Sequence, residues 1–154
     1  MARTKEILFA QSLMERLNED LEMPTTQVAS LRLVKEAIRR DLEALLNTRK
    51  PLGRELENYE LASSSVLNYG LDDLSSLKVT PNGHLVEVQR ALQQCLADYE
   101  PRLTEVSVSV EEGDFLKREI RLHIEANLPL YPTVEAVSFD TVFDVTNETY
   151  AVAG

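Results

Sequence analysis

The chain has 154 residues, 44% hydrophobic and 27% charged. That is one ordinary globular domain with a real core, which excludes a disordered tail, a collagen and a membrane-spanning chain. Acids outnumber bases 26 to 16, a formal net charge of −10; this argues against wrapping nucleic acid or coating an anionic membrane, since both need clustered Lys and Arg.

Residues 6–19 carry Ile7, Leu8, Leu13, Met14 and Leu17 and read as a short amphipathic helix or arm. The start holds only a short apolar run and no cleavage-site pattern, so neither a signal peptide nor a membrane helix is expected and a reducing cytoplasm is the default. Residues 18–27 are polar, contain Pro24 and read as a linker. The expected division is an arm and linker over 1–27 and a single domain over 28–154.

The clearest helix follows. Leu31, Val34, Ile38, Leu42 and Leu45 share one face at helical spacing, while Arg32, Glu36, Arg39 and Glu43 gather on the other. Arg32/Glu36 and Arg39/Glu43 are opposite-charge pairs four residues apart, so this basic set reads as a salt-bridged solvent face rather than a phosphate-binding stripe. Thr26 or Ser30 could cap its start, and Pro51 and Gly53 end it. Residues 50–81 are irregular and turn-rich, with short helical pieces expected around Val66-Leu67 and within 73–77. A second helix runs from about Gly83 to Tyr99 with Leu85, Val88, Leu92, Cys95, Leu96 and Tyr99 on one face, and it stops because Pro101 disfavours helical geometry at Glu100.

From Thr104 the period changes from 3.6 to 2. Val106, Val108 and Val110 alternate with polar residues, and Glu112-Gly113-Asp114 makes a turn. Ile120, Leu122, Ile124 and Ala126 alternate next, with Pro129 and Pro132 expected to break the strand. Val137, Phe139, Thr141, Phe143 and Val145 form a third run, and Tyr150 and Val152 a short last strand. Strands after helices with short links predict an α+β fold: two main amphipathic helices on one face of a small antiparallel sheet of three or four strands, plus the N-terminal helical arm. No Lys or Arg follows Arg121, while Glu125, Glu135, Asp140, Asp144 and Glu148 do. This acidic end is expected to offer an exposed strand edge along Val137 to Val145, to repel a copy of itself and to attract a basic strand.

Chemistry is sparse. Nucleophilic catalysis needs a base beside the nucleophile; only His84 and His123 are available, and neither has a recognisable partner in sequence. Cys95 lies in an apolar helical pattern and reads as a buried small hydrophobe. No metal-ligand spacing and no Gly-rich phosphate loop occurs, so no catalytic residue, metal, cofactor or small-molecule substrate is expected. Carboxylate pairs carry no specificity in so acidic a chain, and the absence of Trp counts against a sugar-binding cleft. One cluster differs. Glu100-Pro101-Arg102 holds two opposite charges across a rigid bend, where Arg can make a forked contact to a carboxylate or to backbone carbonyls. It reads either as a locally salt-bridged corner or as a preset contact for another protein.

Four segments occur in order: Ser12-Leu13-Met14-Glu15-Arg16-Leu17; Leu45-Leu46-Asn47-Thr48-Arg49; Ser65-Val66-Leu67-Asn68-Tyr69-Gly70-Leu71; and Tyr99-Glu100-Pro101-Arg102-Leu103 followed by Val106-Ser107-Val108. Together they resemble the TssE family of type VI secretion baseplate subunits, itself similar to the small wedge protein of contractile phage tails once labelled a tail lysozyme. One residue departs from the family's pattern: Asp72 stands where a Pro usually follows Tyr-Gly-Leu. The resemblance implies a structural, non-enzymatic protein. It would join TssF, TssG and TssK around the spike protein VgrG, in the cytoplasm against the inner membrane, as a platform for the sheath proteins TssB and TssC. It also implies partner contacts at Glu100, Pro101, Arg102, Arg49, Asn68 and Tyr69, with no nucleic acid involved. A regulatory anti-adaptor of the same fold and a cell-wall glycosidase are the other classes considered.

Overall fold

A computed structural model describes residues 8–18, 23–50, 58–63, 65–71, 85–111 and 119–154. Ile7, Pro51, Gly53, Asp72, residues 73–77, Gly83, His84, the side chain of Leu85 and the 112–114 turn lie outside those stretches.

Helix α1 (Leu13–Leu17) is a single turn closed by a capping box between Ser12 and Glu15. Its amphipathic reading is inverted. Leu13, Met14 and Leu17 are 67%, 75% and 67% exposed, whereas Glu15 is 4% exposed and accepts a hydrogen bond from Arg40 at 3.0 Å. The apolar anchor of this region is Phe9, which packs on the core and donates its N–H to Ser30 Oγ.

Helix α2 (Gln27–Leu46) starts at Thr26, whose hydroxyl accepts the Ala29 N–H. The expected stripe is buried at Val34, Ile38, Leu42 and Leu45, joined by Ala37 and Leu46. A short helix α3 (Glu60–Ser63) and a 3-10 turn (Val66–Asn68) follow. Thr48 and Lys50 then pair with Leu71 through Leu71 N–H to Thr48 O and Lys50 N–H to Leu71 O. Gly70 sits at φ +117°, and a side chain there would drive into the Thr48 carbonyl, so only Gly lets these two segments close. Helix α4 (Leu85–Tyr99) buries Val88, Leu92, Cys95 and Leu96.

The sheet is a four-stranded antiparallel meander, β1 (Thr104–Glu111), β2 (Glu119–Leu130), β3 (Thr133–Asp144) and β4 (Thr149–Ala153), in that spatial order. Its period-2 pattern is kept: Val108, the even positions from Ile120 to Leu128, the odd positions from Val137 to Phe143, and Tyr150 and Val152 face inward. Phe143 and Tyr150 stack across strands at 4.4 Å between centroids. Helix α4 lies against β1 and α2 against β4, so both helices cover one face and the fold is α+β. Pro129 does not break β2. It faces solvent two positions from the hairpin end, opposite Val134, where the lost N–H matters little, and the turn falls at Tyr131-Pro132, which is cis.

Candidate functional site

Of the concave surfaces among the described residues, two bear on the motifs and edges singled out in the sequence. The first is the corner where α4 turns into β1. The Glu100 N–H still closes the last turn of α4 on the Leu96 carbonyl, and the Glu100 carbonyl accepts the Leu103 N–H beyond Pro101. This folds the Glu100 carboxylate inward, to 4% exposure. A buried carboxylate needs a partner. Arg102 supplies a fork, Nε to one oxygen and Nη2 to the other, both at 2.5 Å, and Nη2 also reaches Asp41 on α2 at 2.6 Å. Hydrogen bonding to Glu100, then to Asp41, holds the guanidinium pKa above its ordinary value. The corner therefore ties α4, β1 and α2 together, as the salt-bridged reading of this motif expects.

Around that clamp lies a shallow groove of about 300 Å³, lined by Asp41, Ala44, Tyr69, Tyr99, Pro101 and Arg102. Tyr69 and Tyr99 meet edge to face at 5.2 Å, and burial raises both phenol pKa values. The structure thus gathers Tyr69, Glu100, Pro101 and Arg102. Asn68 stands next to them in sequence, but its amide donates to the Ser63 carbonyl and closes the local turn. Arg49 lies elsewhere, bridged to Leu71 and ion-paired with Glu148 in the β3–β4 turn. Asp41, absent from the sequence reading, completes the clamp; it flanks the apolar stripe of α2, where a carboxylate looks like ordinary helix surface.

The second place is the edge of the sheet beside α2, and it corrects two expectations. Most of the run Val137 to Val145 is not an edge: from Asp140 to Asp144, β3 is paired with β4. The outer edge of β4 is closed as well. Asn47, at the end of α2, donates its amide to the Tyr150 carbonyl and accepts the Tyr150 N–H, each at 2.8 Å. Arg39 donates to the Val152 carbonyl at 2.9 Å while holding Glu36 and Glu43. The charged face of α2 is a lid on β4 at this point, not plain solvent surface.

The opening lies further along. β4 ends at Ala153, opposite Asp140, while β3 begins at Thr133. In an antiparallel strand both peptide groups of a residue point to one side, and the side alternates. Tyr150 and Val152 turn theirs to α2, so Ala151 and its partner Val142 face each other. Stepping by two along β3, the peptide groups of Ser138, Ala136 and Val134 point into the lane that β4 would occupy if it continued. No described residue pairs with them. Between this stretch and the first turns of α2 runs a groove of about 550 Å³, with Val28, Leu31, Val137 and Phe139 on its apolar walls, Arg32, Lys35 and Glu36 along its rim, and Gly154 in it beside Ser138 and Phe139.

The acidic end of the chain is also not an unopposed field. Glu135 pairs with Lys35 at 3.1 Å and Glu148 with Arg49. Asp140 and Glu125 flank His123 at 2.7 and 3.6 Å, and the hydrogen bond to Asp140 raises the His123 pKa. Asp144 accepts the Thr146 and Asn147 N–H groups of its own turn, which lowers its pKa. Of the five acids beyond Arg121, Glu135 and Glu148 meet a permanent cation, Asp140 and Glu125 share one histidine, and Asp144 is held by uncharged N–H groups.

Neither place assembles catalytic machinery from the described residues. Both Glu100 oxygens are taken by Arg102. Cys95 is buried with its Sγ at 3.4 Å from the Gly70 carbonyl, and His123 sits on the outer face of the sheet, away from both grooves. No group of three possible metal ligands occurs among the described residues, and no described helix is long and apolar enough to cross a membrane.

The sequence model of the family described as baseplate wedge protein gp25 matches residues 32–132. No curated protein matches this chain. Among solved structures, a chain of "The baseplate complex from the type VI secretion system" is similar at 19% identity and a TM-score of 0.48, over 72% of this chain and 94% of that one.

Proposed function

The chain belongs to the baseplate wedge protein gp25 family, and from that premise we propose that it is a structural subunit of a type VI secretion baseplate. In this reading it assembles with TssF and TssG into the wedge, beside TssK and the VgrG hub, in the cytoplasm and docked at the inner membrane through the finished baseplate. It then receives the first TssB–TssC sheath ring and performs no catalysis. The family match carries the proposal, because it covers α2 from Arg32 onward, the Glu100-Pro101-Arg102 corner and the β1–β2 hairpin. The four ordered segments that resemble TssE narrow the family to the secretion branch.

Each groove has a part in this reading. The corner is a rigid brace whose exposed side, Pro101 with Tyr69, Arg102 and neighbouring Asn68, meets wedge partners, while Glu100 holds Arg102 from inside and Arg49 makes a separate partner contact. The open stretch Val134 to Ser138 accepts a sheath strand by main-chain pairing, which needs only a free edge and a lane beside it.

Co-expression with TssF and TssG tests the first part: the three proteins are expected to copurify, and recovery of this chain alone overturns the wedge assignment. Ala136→Pro tests the second. It removes a donor that no described residue uses, so the wedge should still form while sheath assembly is lost. Sheath assembly on the variant at the normal rate would remove strand acceptance from the mechanism. Clear turnover of peptidoglycan by the purified protein would overturn the non-enzymatic reading.

A further inference from the structure

The corner is complete on its inner side and incomplete on its outer one. Arg102 turns Nε and Nη2 to Glu100 and Asp41. Its Nη1 donates to no described residue, although the side chain is 34% exposed. Asp41 accepts through Oδ2, its other oxygen has no described donor, and its side chain is 55% exposed. Tyr99 sends its hydroxyl to the Ser65 carbonyl at 3.4 Å, whereas the Tyr69 hydroxyl has no partner among the described residues. The groove thus sets guanidinium N–H donors, a phenol and a carboxylate oxygen around an apolar floor of Ala44, Pro101 and the two rings.

The charges limit what can complete it. One guanidinium already stands between two carboxylates, so the trio is formally one charge negative. A third carboxylate on Nη1 would meet the repulsion of Glu100 and Asp41 in a partly desolvated place. A main-chain carbonyl brings no such conflict, and the chain uses an arginine that way elsewhere. Arg39, flanked by Glu36 and Glu43, donates Nη1 to the Val152 carbonyl. Free carbonyls are concentrated at the C-terminal end of a helix, whose last four have no partner within the helix. Such ends favour Lys or Arg in the last turn, and a base there would meet the open oxygen of Asp41.

We infer that the corner receives the C-terminal end of a helix from another protein chain, with main-chain carbonyls on Arg102 Nη1 and the Tyr69 hydroxyl and a Lys or Arg of its last turn on Asp41. This rests on the partner-contact reading of the corner and adds which part of a partner fits it. Glu100 acts through Arg102, fixing the guanidinium so that its free edge stays in place. Pro101 and Tyr99 seat the last turn. Asp41 is the specificity residue: it asks for a base and turns away an acid.

The test measures the affinity of the full chain for the purified TssF–TssG complex, with thermal unfolding as the check that each variant folds. Asp41→Asn should bind about three- to tenfold more weakly than wild type, and Asp41→Lys about tenfold more weakly again. Glu125→Lys makes the same charge change as Asp41→Lys on the outer face of the sheet and should bind as wild type does. Arg102→Lys keeps a cation for Glu100 without the second donor edge, and Tyr69→Phe removes only the hydroxyl; both should weaken binding. Tighter binding of Asp41→Lys would reveal an acidic partner and overturn the inference. Wild-type affinity in Asp41→Asn and Tyr69→Phe would overturn it as well. A structure of the complex should place main-chain carbonyl oxygens within about 3.2 Å of Nη1, and a strand, a loop or a carboxylate there would overturn the choice of a helix end. No binding of the wild type would overturn the wedge reading itself, and this inference with it.

Discussion

The two halves of α2 face the same sheet and do opposite things with it. From Arg39 to Asn47 the helix ties down its neighbours: Asn47 takes both outward peptide groups of Tyr150, Arg39 donates to the Val152 carbonyl, and Asp41 accepts from the same Arg102 nitrogen that holds Glu100. From Val28 to Lys35 it stands off from β3 and leaves Val134, Ala136 and Ser138 without a described partner. The helix is regular throughout, so the difference lies in the sheet: β4 is five residues long and β3 is twelve. Beside β4 the edge of β3 is paired, and beyond it Val134, Ala136 and Ser138 have no described partner. Side chains of α2 cap the outer edge of β4, which protects it against indiscriminate edge pairing.

Proline scanning of β3 should break this contrast most sharply if it is wrong. Val142 turns its peptide groups to Ala151 of β4, whereas Ala136 turns its own into the empty lane. Val142→Pro should cost about 3 kcal/mol or more and unfold much of the protein, because Pro is not tolerated in a strand paired on both sides. Ala136→Pro should cost no more than about 1 kcal/mol, as on a free edge. Urea unfolding of the two variants decides it, and equal losses would mean that the lane beside Ala136 is already filled.

The corner gives the next largest effect. Arg102→Leu leaves the Glu100 carboxylate buried and without its fork, which should cost about 2–4 kcal/mol, below the top of the range for broken buried pairs because the Arg102 side of the corner is open to solvent. Adding Glu100→Gln to Arg102→Leu should recover more than half of that loss in the same unfolding assay. A single variant within 0.5 kcal/mol of wild type would make the clamp a surface pair and return the corner to partner contact alone. On this geometry a charge reversal, Arg102→Glu, tests folding before it tests assembly.

Asn47→Ala should be milder. It removes both hydrogen bonds to Tyr150 and leaves a donor and an acceptor at the edge of β4, a loss of about 1–2 kcal/mol. The informative readout is hydrogen exchange: protection should fall at Tyr150 and stay unchanged at Val142, which would mark opening of the outer edge alone. Dimerisation of this variant in sedimentation runs would further support Asn47 as the group that keeps β4 from pairing with copies.

The elements were legible in the sequence because their periods were clean. Ile38, Leu42 and Leu45 repeat at helical spacing, and Val137, Phe139, Thr141 and Phe143 at a period of two, and burial follows both. The arm misled because its apolar residues looked like an inward face, while the contact that holds α1 is polar, Glu15 to Arg40. The edge misled for another reason. Asn47 is indistinguishable in sequence from a helix-ending Asn, and nothing local says that its amide meets Tyr150 a hundred and three residues on. Of the corner, the Glu100–Arg102 pair was readable from its spacing across Pro101; Asp41, sixty-one residues from Arg102, was not. Side chains that satisfy another element's backbone leave no periodic trace, and those were the ones that decided which edge is open.

The smallest effect probes the outer face of the sheet, which neither half of α2 covers. His123 bonds Asp140 on β3, just where the pairing with β4 ends, and lies near Glu125. Its pKa in the folded protein is raised by the Asp140 hydrogen bond first, and further by the charges of Asp140, Glu125 and Glu111. A raised folded value means that the folded state binds the proton more tightly than the unfolded one. The stabilisation is therefore fully present below about pH 6.5, the ordinary His value, and is lost as pH rises through the folded pKa. Because the ring is solvent-accessible and screened, the change should be a small downward step in Tm, visible as a difference between wild type and His123→Gln that is larger at pH 5.5 than at pH 8.5. If the difference instead grows with pH, the His123–Asp140 contact does not hold a proton. The end of the β3–β4 pairing would then be marked by geometry alone.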